Sequence, residues 1–172
     1  MELETLALKA GAALKARGLT LATAESCTGG WVAQEVTAIA GSSAWFERGF
    51  VTYANAAKEE MLGVRQETLA TFGAVSLETA REMAPGALGH SRADVALAVT
   101  GIAGPTGGSP DKPVGTVCFA WCRRGSAPLA VKEVFEGDRV AVRRQAVARA
   151  LSGLLDLLDS SEGAAMPAKS MP

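Results

Sequence analysis

The chain has 172 residues, 48% apolar and 20% charged, with a formal net charge of −1. That length suits one domain with a sizeable core and is short for two, and the composition excludes a disordered chain. With no basic block and no apolar run near the length of a membrane span, nucleic-acid and membrane roles gain no support. The acidic start, Met1-Glu2-Leu3-Glu4, lacks the basic and apolar regions of a signal peptide, so a cytoplasmic location is the default.

Leu3 to Arg17 reads as an amphipathic helix, with Leu3, Leu6, Ala10, Ala13 and Leu14 on one side and Gly18 as its stop. Leu19 to Ala24 is the first strand, and Gly29 to Ile39 the helix after it. Trp45 to Tyr53 reads as the second strand; Asn55 then caps a short helix through Leu62, stopped by Gly63. Gln66 to Phe72 is a further short helical turn. Ser76 and Thr79 open a helix to about Gly89, which Pro85 and Gly86 are expected to kink or interrupt. The continuous apolar run Val95 to Val99 has the pattern of a strand buried on both faces. A Gly/Pro loop leads to a strand over Val114 to Trp121 and a hairpin partner over Leu129 to Phe135. Asp138 to Leu158 is the clearest helix, with Val147, Leu151, Leu154, Leu155 and Leu158 as its buried stripe. Residues 160–172 show no periodicity and are expected to form a disordered tail behind a domain over 1–159. The pattern is that of one α/β domain with helices covering a mixed sheet.

Three strands end in loops rich in hydroxyls, amides or glycines, and ligands of open α/β sheets bind beyond such carboxyl ends. The first loop, Glu25-Ser26-Cys27-Thr28-Gly29-Gly30, sets a hydroxyl at a helix N-terminus, where free N–H groups and the dipole favour an anion or an oxyanion. The second offers Tyr53 and Asn55, and the third Thr100, Gly101, Ala103 and Gly104. The stretch Gly101 to Gly108 matches neither a Walker A loop nor GxGxxG. Ser26 is the first candidate nucleophile; the plainer alternative is that it and Thr28 cap the helix.

A nucleophilic serine needs a base, and the single histidine, His90, sits at a helix end. Lysine is the usual substitute when burial or neighbours lower its pKa. Lys58 lies one turn into its helix and can point back toward the second strand's mouth; the alternative is a solvated lysine beside Glu59 and Glu60. Tyr53 can relay a proton or orient the base, or can simply be a packing residue. Arg139 and Arg143 bring positive charge to the positive end of the last helix, which makes sense beside a phosphate, or if both pair with surface acids. Cys27 is a rival nucleophile that lacks an activating histidine. Cys118 and Cys122, four apart in a strand-like run, share a face as small core residues. The odd cysteine count without a CxxC pair argues against a disulfide framework or a zinc site.

The run Ala24-Glu25-Ser26-Cys27-Thr28-Gly29-Gly30, with Gly41-Ser42-Ser43 and Gly49-Phe50-Val51-Thr52-Tyr53, closely resembles the CinA C-terminal domain family. So do Gly73-Ala74-Val75-Ser76, Thr100-Gly101-Ile102-Ala103-Gly104-Pro105, Lys112-Pro113-Val114-Gly115-Thr116-Val117 and Phe135-Glu136-Gly137-Asp138-Arg139, in the family's order over residues 5 to 158. The resemblance implies a three-layer α/β/α sandwich with a mixed, mostly parallel sheet, a homodimer, and no metal or cofactor. Stand-alone members of that family are nicotinamide-nucleotide amidases, which convert nicotinamide mononucleotide to nicotinate mononucleotide and ammonia. Carried onto this chain, the resemblance makes Ser26 the nucleophile and Lys58 the base, with Tyr53 and Thr100 as hydrogen-bonding neighbours. N–H groups around Thr28, Gly29 and Gly30 would steady the oxyanion, and Arg139, with Arg143, would hold the ribose phosphate. Two other readings stand beside it: a non-catalytic module that binds pyridine nucleotides, and an amidase of another phosphorylated small molecule.

Overall fold

The computed structural model describes residues 2–169, and of 161–169 the backbone alone. The tail expected over 160–172 thus falls almost wholly outside the described side chains, and 170–172 lie outside the description altogether. In chain order the elements are α1 (Leu3–Arg17), β1 (Leu21–Glu25), α2 (Trp31–Thr37), a 3-10 turn (Ser42–Ala44), β2 (Phe46–Val51) and α3 (Asn55–Leu62). Then follow α4 (Gln66–Phe72), α5 (Leu77–Gly89), β3 (Val95–Gly101), β4 (Thr116–Arg123), β5 (Leu129–Val134) and α6 (Arg139–Lys169).

The five strands form one mixed sheet in the order β2-β1-β3-β4-β5. β1 pairs in parallel with β2 and β3, while β4 runs antiparallel to β3 and β5. Three consecutive parallel strands therefore release their carboxyl ends at one edge, the place where open α/β sheets build ligand sites.

Strand alternation gives the sheet two different faces. Leu21, Val95, Leu97, Val99, Phe119 and Trp121 pack with α1, α2 and α6 in one core. Ala22, Ala24, Ala96, Ala98, Cys118, Ala120 and Cys122 form the other, against α5 residues such as Ala80, Met83, Ala84 and Leu88 and against Leu62 and Leu69 of α3 and α4. The two strand cysteines thus share one buried face, as small core residues do.

Local signals in the sequence account for most helix ends. Gly18 and Gly63 close α1 and α3 in the left-handed conformation that glycine adopts without strain. Ser76 caps α5 by accepting the Thr79 N–H at 3.1 Å, and Asp138 does the same for α6 through the Ala141 N–H at 2.9 Å. Two local expectations are corrected. Asn55 does not cap α3: Ala54 is the N-cap and bonds through no side chain, while Asn55 is the first helical residue. Nor do Pro85 and Gly86 interrupt α5, which runs through both. Gly86 instead gives α3 its seat, since a Cβ there would lie 2.0 Å from the Leu62 carbonyl oxygen. No described helix is long and apolar enough to cross a membrane.

Gly86→Ala tests that seat. Alanine is the better helix former by about 1 kcal/mol, yet here the methyl meets backbone, so an overpacking loss of about 1–3 kcal/mol is expected in denaturant melts. An unchanged or raised stability would show that α3 slides off α5 freely.

Candidate active site

Alternation along β1 decides where the next side chains go. Leu21, Thr23 and Glu25 face the α2 side, Ala22 and Ala24 the α5 side. Ser26 continues the strand by one step, its N–H donating to the Val99 carbonyl at 2.9 Å, and its hydroxyl meets α3. β2 lies beside β1, with the Thr52 N–H donating to the Glu25 carbonyl at 2.8 Å before the chain turns into α3. Lys58, the fourth residue of α3, therefore points back over the end of β1 and is only 1% exposed.

The Lys58 Nζ lies 3.0 Å from the Ser26 Oγ, 2.9 Å from the Thr52 carbonyl oxygen and 3.3 Å from that of Tyr53. None of these oxygens is a carboxylate. Burial without a counter-ion pulls the amine below its ordinary 10.5, and only the Cys27 sulfur acts the other way. A neutral amine has two N–H donors and one lone pair. With both carbonyls taking a donor, the lone pair is left facing the Ser26 hydroxyl, which is the arrangement of a general base beside its nucleophile. Cys27 is excluded from that role, because burial pushes its thiol up to about 12 and keeps it protonated at neutral pH.

The residues after Ser26 are clamped by charges of both signs. The buried Glu25 carboxylate accepts from the Thr28 hydroxyl at 2.6 Å and from the Val32 and Ala33 N–H groups at 2.9 and 3.0 Å. The positive end of α2, which the sequence offers to a ligand anion, is thus filled from within the fold. From the other side the Arg143 guanidinium donates to the Cys27 and Thr28 carbonyls, both at 3.1 Å, and lies 5.4 Å from the centre of the Trp31 ring. Gly29, at φ 59°, gives the turn the left-handed conformation that glycine adopts without strain, and it spends its own N–H on the Ser26 carbonyl at 3.1 Å.

A cavity of about 230 Å³ opens over Ser26 and Lys58. Ser26, Cys27, Tyr53, Asn55, Lys58, Thr100, Gly101, Ala103 and Arg139 line it, so the three strand ends do converge. Thr28, Gly29, Gly30, Gly104 and Arg143 are not in its wall. Tyr53 reaches Lys58 through its carbonyl, while the residue as a whole is 62% exposed and its hydroxyl accepts from Arg139 at 3.1 Å. Arg139 also donates to the Gly104 carbonyl at 2.7 Å, which fixes it at the rim. Thr100 bonds neither Ser26 nor Lys58: its hydroxyl donates to the Ala74 carbonyl at 2.9 Å and ties the 73–76 loop to the strand end. Three contributors escape sequence reasoning. Ala74 and Val75 complete the wall and carry no chemistry that would flag them. Glu25 does leave a signal, an acid inside an otherwise buried strand.

The family model described as the CinA C-terminal domain matches residues 3–158. The chain is 61% identical over 153 residues to a protein of Escherichia coli (strain K12) named nicotinamide-nucleotide amidohydrolase PncC, covering 89% of this chain and 93% of that one. It is 51% identical over 154 residues to a CinA-like protein of Chloroherpeton thalassium, covering 88% of this chain but 37% of that longer one. Among solved structures, competence/damage inducible protein CihA from Agrobacterium tumefaciens matches with a TM-score of 0.87 at 51% identity, over 90% of this chain and 94% of that one.

Two outcomes follow from these contacts. Glu25→Ala leaves two backbone donors and a hydroxyl unpaired inside the fold, so a loss of about 3 kcal/mol is expected in chemical denaturation; a loss under about 1 kcal/mol would mean that water replaces the carboxylate. For Lys58, whose folded pKa lies below the unfolded 10.5, the unfolded chain binds more protons between those two values. The stability of the wild type relative to Lys58→Met therefore rises with pH across that window and is lowest below it; a flat difference would show that the amine is not perturbed.

Proposed function

We propose that this chain, which belongs to the CinA C-terminal domain family, is a nicotinamide-nucleotide amidohydrolase that converts nicotinamide mononucleotide to nicotinate mononucleotide and ammonia. The observation that carries this reading is the 3.0 Å approach of Ser26 to an amine whose other two neighbours are carbonyls. The 61% identity to a protein of that name supports the substrate class.

In the reaction proposed, neutral Lys58 takes the Ser26 proton as Oγ attacks the carboxamide carbon. The oxygen of that carbon becomes an oxyanion, which backbone N–H groups of the turn after Ser26 would stabilise by about 3–4 kcal/mol per donor. The C–N bond then breaks, Lys58 returns the proton to the leaving nitrogen, and ammonia departs from an acyl-Ser26. Water, losing its proton to Lys58, attacks the acyl carbon, and the C–Oγ bond breaks to give nicotinate mononucleotide and the free hydroxyl. Arg139 would meet the ribose phosphate at the rim, with Asn55 and the Thr100 to Ala103 edge as the wall on which the nucleotide lies. Tyr53 would hold Arg139 in place. The homodimer implied by the resemblance and the cytoplasmic location expected from the N-terminal sequence belong to the same proposal.

Ammonia release from nicotinamide mononucleotide is the direct test. Ser26→Ala and Lys58→Ala are each expected to lower kcat by at least about a thousandfold in folded protein, as loss of a nucleophile or its base does. Because the base acts unprotonated, kcat/KM should rise with pH and level off, with its midpoint below 10.5. Binding without release by the wild type would favour the non-catalytic module, and neither would point to another phosphorylated amide.

A further inference from the structure

An amide enters this site neutral, and the acid that replaces it carries a charge. The Ser26–Lys58 pair decides where that charge falls. The attacked carbon is bonded to the Ser26 Oγ during the reaction and stands about 3–3.5 Å from it at the moment it is freed. The Lys58 Nζ lies 3.0 Å from the same Oγ. The carboxylate therefore forms within ion-pair reach of the amine. No protein anion competes for that place: the neighbours of Nζ are a hydroxyl and two carbonyls, and the cavity wall holds no Asp or Glu.

The charged groups on the surrounding elements are engaged elsewhere. Glu25, at the end of β1, accepts from Thr28, Val32 and Ala33. On α5, which packs on α3, Glu82 is held by Arg65 and Thr68, Glu78 lines a separate cavity with Lys112 and Lys132, and Arg81 is exposed. Glu59 and Glu60, on α3 itself, are absent from the cavity wall. Arg143 is turned to the Cys27 and Thr28 carbonyls, and the Cys27 thiol, pushed up to about 12 by burial, stays protonated. Arg139 and Tyr53, bonded to each other, stand at the rim. The cavity thus has one permanent cation at its mouth and, at its depth, an amine able to gain a proton. A buried ammonium is costly when alone, and a carboxylate beside it removes much of that cost.

We propose that Lys58 is also the carboxylate ligand of the site: its ammonium form pairs with the acid that the reaction leaves behind, so that product binds with uptake of one proton from solvent and holds the base in the form that cannot attack. This rests on the amidase reading above, which makes the acid nicotinate mononucleotide. Substrate and product share a ring, a ribose and a phosphate for Arg139, and they differ only where Lys58 meets them. The consequence is inhibition by product that depends on pH. A ligand that binds only the ammonium form has its affinity reduced by the fraction of enzyme that lacks the proton. Affinity for the acid is therefore flat below the pKa of the free amine and falls above it, while kcat/KM rises through the same window.

The experiment follows nicotinate mononucleotide binding to the wild type by calorimetry in buffers of differing ionisation enthalpy, together with its Ki against nicotinamide mononucleotide. The range runs from about pH 7.5, above the second ionisation of a phosphate, to about pH 10. Nicotinamide mononucleotide on Ser26→Ala, which cannot turn it over, is the neutral control with the same phosphate. For the acid, Ki is expected to rise about tenfold per pH unit above the midpoint of the kcat/KM profile, with net proton uptake approaching one. The amide should show neither. Lys58→Met, which leaves Tyr53 and Arg139 in place, should bind the acid without uptake and without slope. Proton-neutral binding of the acid by the wild type, equal slopes for acid and amide, or a slope that survives in Lys58→Met would each overturn the proposal. So would the absence of any binding of the acid. If Lys58→Met does not fold, acid against amide on Ser26→Ala, which keeps the amine, decides the question. The two readings also fail separately. No ammonia release, with the acid still bound and one proton taken up, removes the amidase and keeps the carboxylate site; ammonia release with proton-neutral binding of the acid removes the carboxylate site alone.

Discussion

A primary amine buried without an acid is the constraint around which this fold is arranged. Lys58 is only 1% exposed, and its three oxygen neighbours are all uncharged groups. Desolvating an ammonium is expensive unless an anion accompanies it, so such a site favours the neutral form. The favoured form is also the one with a lone pair to offer. Each supporting element contributes to holding the amine there. The end of β2 delivers two carbonyls, Gly63 stops α3 after eight residues, and Gly86 lets α5 press directly on the Leu62 backbone.

The turn that carries Ser26 meets the opposite treatment. Here the charges are present and arranged in pairs with backbone dipoles: a carboxylate on N–H groups below, a guanidinium on carbonyls above. Charge-assisted bonds of this kind are stronger than neutral ones and fix peptide planes as well as positions. The division is chemically sensible. A rigid turn keeps the nucleophile and the neighbouring amides in place, while the amine stays clear of any carboxylate that would hold its proton. It also explains why the helix dipole of α2 is not open to a ligand, since Glu25 already occupies it.

The asymmetry of the sheet faces serves the same geometry. Alanine and cysteine on the α5 side, facing Ala80, Ala84 and Ala87, let the helix layer that carries Lys58 lie close to the strand that carries Ser26. The bulkier side chains gather on the opposite face, where α1 and α6 give them depth.

Much of this was legible in the residues alone. Helix limits at Leu3, Arg17, Leu62 and Phe72, the caps at Ser76 and Asp138, and the doubly buried third strand all follow from rules that act within a few residues. Ser26, Lys58 and the three loop ends were also readable, because strand-then-glycine and helix-start patterns are local, and the family resemblance reinforced them. Partnerships across the chain were not. That Tyr53 offers a carbonyl to Lys58 and its hydroxyl to Arg139, that Thr100 bonds Ala74, and that Arg143 grips the turn at Cys27 all depend on the order β2-β1-β3 and on where α6 crosses. The misplaced cap at Asn55 and the unbroken α5 have the same cause. Sequence spacing determines which residues can form an element, but which atoms become neighbours is settled when distant strands pair and helices pack, and there a single carbonyl can outweigh a local preference.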